Sequence, residues 1–115
     1  SEIDQNSYFG ANYLPNGFID ITGPSVVVST LYPDGPNRTV MTMDFLFHPD
    51  AIAIPGFDPQ PIVDFNVLVG NQDNVVCEAV HRGVASKSFT HGVLTPKDEH
   101  VIDFVRHYRQ WMAEG

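Results

Sequence analysis

Ser25-Val26-Val27-Val28-Ser29-Thr30-Leu31-Tyr32 and Thr39-Val40-Met41-Thr42-Met43-Asp44-Phe45-Leu46-Phe47 are two runs rich in Val, Thr, Met and Phe. Between them lies Pro33-Asp34-Gly35-Pro36-Asn37-Arg38, a turn-forming segment, so the whole reads as a long β-hairpin. In the return strand Met41, Met43, Phe45 and Phe47 alternate with Val40, Thr42, Asp44 and Leu46. A period of two puts the first set on one face, and its apolar character predicts that this face meets the core.

Upstream, residues 11–14 and 18–21 are short β-prone pieces separated by Pro15-Asn16-Gly17, a pattern that predicts a tight hairpin. Downstream, residues 51–60 are rich in Pro and Gly and predict an ordered loop. From about residue 61 to 84, Ile62, Phe65, Val69, Val76, Ala79 and Val80 recur mostly at three- or four-residue spacing, which predicts a helix, with Gly70 as the place for a kink. The last element has the clearest start: Thr95 as N-cap, Pro96 at the first helical position, and Asp98 and Glu99 in the first turn. Val101, Phe104, Val105, Tyr108, Trp111 and Met112 then form one apolar stripe. Such a stripe needs a partner, and the sheet is the one element large enough.

The expected architecture is α+β: a curved antiparallel sheet gripped by a long C-terminal helix, a helix-grip or START-like arrangement in truncated form. Residues 1–115 are read as a single domain with a β half at about 8–50 and an α half at about 58–113.

Fourteen acidic against six basic residues give a formal charge of −8, which opposes capture of nucleic acid or of anionic membrane surfaces. Apolar runs such as Val67-Leu68-Val69 are far short of the roughly 20 residues that cross a bilayer. Cys77 is the only cysteine, so neither an intrachain disulfide nor a thiolate cluster can form within the chain, in keeping with a cytoplasmic location. The chain begins at Ser1 and shows no basic start followed by an apolar stretch and a cleavage site. His48, His81, His91, His100 and His107 contain no His-X-X-X-His pair. His100 and His107 are two turns apart, about 10 Å along a helix axis, too far to share one ion directly. Cys77 reads as a small buried hydrophobe, and Glu78 as a hydrogen-bonding partner.

The most distinctive segment is Asn71-Gln72-Asp73-Asn74-Val75-Val76-Cys77-Glu78-Ala79-Val80-His81-Arg82-Gly83-Val84-Ala85-Ser86. It resembles the C-terminal helix region of Rieske-type non-heme iron oxygenase α-subunits, where an acidic or amide residue precedes an Asp, a Glu follows five positions on, and Gln-Arg-Gly and a Ser come next. Phe89, Gly92, Glu99, Val101 and Phe104 continue the pattern, as do Leu14-Pro15-Asn16 and the hairpin at 33–39, so the resemblance spans residues 8–112. His81 stands where that family has Gln. The family's Cys-X-His and Cys-X-X-His cluster ligands are absent from this sequence, as is the helix that carries its two iron-binding histidines.

The resemblance implies an Fe(II) site of two histidines and one carboxylate, with Asp73 as the one ligand that carries over. It implies an oxidoreductase that inserts oxygen from O₂ into an organic substrate, either an aromatic ring or a quaternary ammonium compound such as choline or glycine betaine. The [2Fe–2S] Rieske cluster and an electron-transfer partner would lie outside this chain, which is expected to be inactive alone. Met41, Met43, Phe45, Val69 and Val76 are the expected substrate-pocket residues, and a homo-oligomer, in the simplest case a dimer, is the expected assembly. A second reading, from a different class, is a non-catalytic helix-grip module that binds an apolar small molecule or self-associates.

Overall fold

The computed structural model describes residues 7–114. Four strands, β1 (Tyr8–Tyr13), β2 (Gly17–Thr22), β3 (Ser25–Pro33) and β4 (Thr39–Phe47), precede α1 (Pro49–Ile52), α2 (Gln60–Val84), a 3₁₀ turn (Pro96–Asp98) and α3 (Glu99–Glu114). The strands form one antiparallel meander in the order β1-β2-β3-β4. The fold is therefore α+β, as the strand-then-helix pattern of the sequence implies. Among the described residues no helix is long and apolar enough to cross a membrane.

The chain divides into two compact units, one of residues 1–57 with 100–115 and one of residues 58–99. Contacts thus group the C-terminal helix with the sheet.

In the first unit the register explains the packing. Asn12, Phe18, Ser29 and Met43 form one row across the four strands. On β3 the small residues Ser25, Val27 and Ser29 are buried, and their partners on β4 are Phe47, Phe45 and Met43. Large residues on one strand are thus paired with small buried ones on the next. Met41, Met43, Phe45 and Phe47 are half-buried while Val40, Thr42, Asp44 and Leu46 are exposed, so the alternation read from the sequence does select the inward face. Phe47 is anchored further by Phe57, with ring centroids 5.2 Å apart in an edge-to-face pair.

The first hairpin is closed by the cis Leu14–Pro15 bond and by Asn16. The Asn16 side-chain amide donates to the Leu31 carbonyl at 2.8 Å, and the Leu31 N–H donates to the Asn16 carbonyl at 2.8 Å, so the turn is tied to β3. The second turn carries an ion pair between Arg38 and Asp34 at 3.1 Å, and Gly35 has φ of 80°, a left-handed conformation that suits glycine.

Three sequence expectations need adjustment. The segment expected as loop from residue 51 overlaps the single helical turn α1, which His48 caps by accepting the Asp50 N–H at Nδ1, 3.2 Å away. Helix α2 runs through Gly70 without interruption, so the glycine does not break it. The stripe on α3 is not buried on the sheet: Val101, Tyr108, Trp111 and Met112 remain 45 to 60% exposed. Two members of the stripe, Phe104 and Trp111, line clefts at the β1 end of the sheet together with Asn12, Leu14, His100 and His107.

Candidate functional site

The second unit carries Asp73. Helix α2 has 25 residues, about 37 Å of axis, and Asp73 lies near its middle. At about 100° per residue, Asn66, Val69, Val76, Cys77 and Val80 fall within roughly 60° of Asp73 around the axis. Asp64, Asn71, Glu78 and Arg82 lie on the opposite side, where Glu78 and Arg82 make an i,i+4 ion pair at 3.9 Å. Asp73 thus lies among mostly apolar side chains, while the opposite side mixes these four polar residues with Leu68 and Val75. Asn66, on the same side, is half-buried and donates its amide to the Ile62 carbonyl at 2.8 Å.

Asp73 is exposed, and among the described residues its side chain makes no hydrogen bond or ion pair. Val69 is 36% and Val76 61% exposed, so the arc around Asp73 is open. Cys77, expected as a buried hydrophobe, is exposed as well, because this face of α2 is uncovered. Glu78, expected as a hydrogen-bonding partner, makes an exposed ion pair with Arg82 at 3.9 Å.

Of the expected substrate-pocket residues, Met41, Met43 and Phe45 form a half-buried row on β4 in the first unit. Val69 and Val76 flank Asp73 on α2 in the second.

The histidines are dispersed. His48 caps α1, His91 sits 3.1 Å from the Thr90 hydroxyl, and His81 lies in the last turn of α2. No group of three or more His, Cys, Asp or Glu side chains among the described residues could hold a metal ion. Asp73 is one oxygen donor where an iron centre needs several, so the residues of this chain do not by themselves fit an iron site.

The clefts beside α3 had no signal in the sequence reading. In the sequence His107 stands out only by its spacing from His100, whereas in the fold it shares a cleft with Leu14, Gln110, Trp111 and Glu114. Proximity of β1 to α3 is a long-range relation that no local pattern encodes.

Comparison with known proteins gives two matches. A family model for the ring-hydroxylating alpha subunit (catalytic domain) matches residues 1–114. The glycine betaine monooxygenase oxygenase subunit of Chromohalobacter salexigens is 32% identical over 101 residues, covering 87% of this chain and 23% of that protein. No solved structure matches. The chain therefore spans about a quarter of the length of the curated relative it matches. With a family match over almost its entire length, this chain belongs to the ring-hydroxylating α-subunit family, as a fragment of its catalytic domain.

Proposed function

We propose that this chain is the C-terminal part of the catalytic domain of an Fe(II)-dependent Rieske oxygenase subunit, in which Asp73 supplies the carboxylate ligand. The observation that carries the reading is the position of Asp73 within the apolar arc of α2, opposite the Asp64, Asn71, Glu78 and Arg82 face. An apolar arc is covered in a completed fold, and a covered carboxylate needs a cationic partner. A metal ion held jointly with imidazoles from the remainder of a longer subunit meets that need. One carboxylate does not make the centre, so no catalytic step is assigned to this chain, which is inactive alone.

Val69 and Val76 are proposed to line the substrate beside Asp73, and Met41, Met43 and Phe45 to contribute apolar lining in the complete subunit. The family relation supports insertion of oxygen from O₂ into an organic substrate, with the Rieske cluster and an electron-transfer partner outside these residues. The relative's name supports a quaternary ammonium substrate, and the family's description supports an aromatic one. A helix-grip arrangement, homo-oligomeric assembly and a cytoplasmic location belong to the same proposal.

The test is iron content and O₂ uptake of the longer subunit with and without Asp73→Ala. The variant should lose iron and activity together; undiminished iron would remove Asp73 from the ligand set. Sub-micromolar Fe(II) binding by the 115-residue chain alone would overturn the claim that its site is incomplete.

The exposed residues Val101, Tyr108 and Met112 on α3 favour a second reading, self-association of the chain through that helix. Size-exclusion chromatography decides it: a concentration-independent monomer removes this reading.

A further inference from the structure

Two adjoining clefts, of about 350 Å³ and about 190 Å³, open between α3 and the end of β1 and share Leu14 and His107. Among the described residues, three apolar groups line them, Leu14, Phe104 and Trp111. The rest of the lining is rich in acceptors: Asn12, Gln110, Asp103, Glu114, His100 and His107. Among the described residues no Lys or Arg lines either cleft.

Three details fix which acceptors are free. Asp103 is engaged by the Arg106 guanidinium at 2.8 Å, so its charge is already balanced. Glu114 makes no ion pair among the described residues, which leaves it as the uncompensated carboxylate of the larger cleft. His107 Nδ1 lies 2.8 Å from the Asp103 backbone carbonyl, which can only accept. Nδ1 therefore carries the proton, and in the neutral ring Nε2 keeps its lone pair for a ligand. The cleft thus combines aromatic faces, an unpaired anion and a preset imidazole acceptor.

We propose that this cleft binds a small organic amine: a primary ammonium on an apolar or aromatic body. The body packs on Leu14, Phe104 and Trp111, and the ammonium donates to Glu114, His107 Nε2 and the Gln110 amide oxygen. An ammonium is matched by the ring faces as well as by the carboxylate. An anion would meet Glu114 without a cation in the described lining. The inference rests on β1 and α3 alone and does not depend on the assignment of Asp73.

Trp111 is the only tryptophan in the chain, so its fluorescence reports on this cleft. The experiment titrates the 115-residue chain at constant ionic strength with 2-phenylethylammonium, its N,N,N-trimethyl analogue and 2-phenylethanol. Saturable binding is expected for the primary ammonium, about three- to tenfold tighter than for either comparison compound. Glu114→Gln should weaken the ammonium by a similar factor and leave the alcohol unchanged, with far-UV circular dichroism confirming that α3 persists. Equal affinity for the alcohol or the trimethyl compound, or no saturable response to the primary ammonium, overturns the proposal without the need for any variant.

Discussion

The ring of Tyr13 lies over Gly17, its cross-strand partner, so closely that a Cβ built on Gly17 would sit 1.9 Å from Tyr13 Cζ. The hydroxyl reaches past Gly17 to β3, 2.8 Å from the Thr30 hydroxyl, and donates to the Ser29 carbonyl at 3.4 Å. Absence of a side chain at Gly17 is what lets one tyrosine bridge three strands. Gly17→Ala should therefore destabilise the first unit by about 1–3 kcal/mol in urea unfolding. In a Tyr13→Ala background the same change should cost far less. Equal costs in the two backgrounds would show that the ring is not what excludes a side chain.

Thr95 and Asp98 form the capping box of the 3₁₀ turn that leads into α3. The Thr95 N–H and hydroxyl both donate to Asp98 Oδ2, at 2.7 and 2.8 Å, and Thr95 Oγ1 accepts from the Lys97 N–H at 3.3 Å. The backbone hydrogen bond from Thr95, and then its hydroxyl, hold the Asp98 carboxyl below its usual value of 3.8. A lowered folded-state value means the contribution is present above the unfolded value and is lost as pH falls through the folded one. NMR titration should place the Asp98 midpoint below 3.8, with helical signal lost over the same range. Asp98→Ala should lower helicity at neutral pH and flatten that acid limb; an unaltered limb would assign it to other carboxylates.

Tyr8 and Asp20 couple β1 to β2. The Tyr8 hydroxyl donates to an Asp20 carboxylate oxygen across the space left by Gly10. That bond first, then burial and the charge of Asp20, raise the Tyr8 hydroxyl above 10.0. A raised value means the contribution is complete below the unfolded value and disappears as pH rises through the folded one. Asp20→Asn should bring the Tyr8 titration down toward 10.0, observable at its ring carbons by NMR. No movement would mean that Asp20 is not the cause.

Asp73→Asn should leave the fold of the chain untouched. The side chain is exposed and unpaired among the described residues, so the change in unfolding free energy should stay within about 0.5 kcal/mol. A larger loss would give Asp73 a structural role and weaken its reading as a ligand held ready for a metal.

Much of the fold was legible in the residues because it depends on local rules. Alternation in 39–47 and the Val-rich run before it specify a hairpin and its inward face, since a one-residue slip would expose every large side chain. Thr95, Pro96 and Asp98 announce a helix start through orphan N–H groups that must find acceptors. Asp73 could be singled out from its motif, and the register of α2 then shows which face it occupies.

Only the tertiary structure decided which apolar faces are covered. The stripe of α3 has the periodicity of a buried helix, yet Val101, Tyr108 and Met112 stay exposed, because periodicity records that a face is apolar and not what meets it. Likewise the neighbours of His107 come from β1, nearly a hundred residues away in the chain, and sequence spacing carries no information about such an approach. The chain's family was thus determined by its sequence, while the surroundings of its side chains were set by long-range packing.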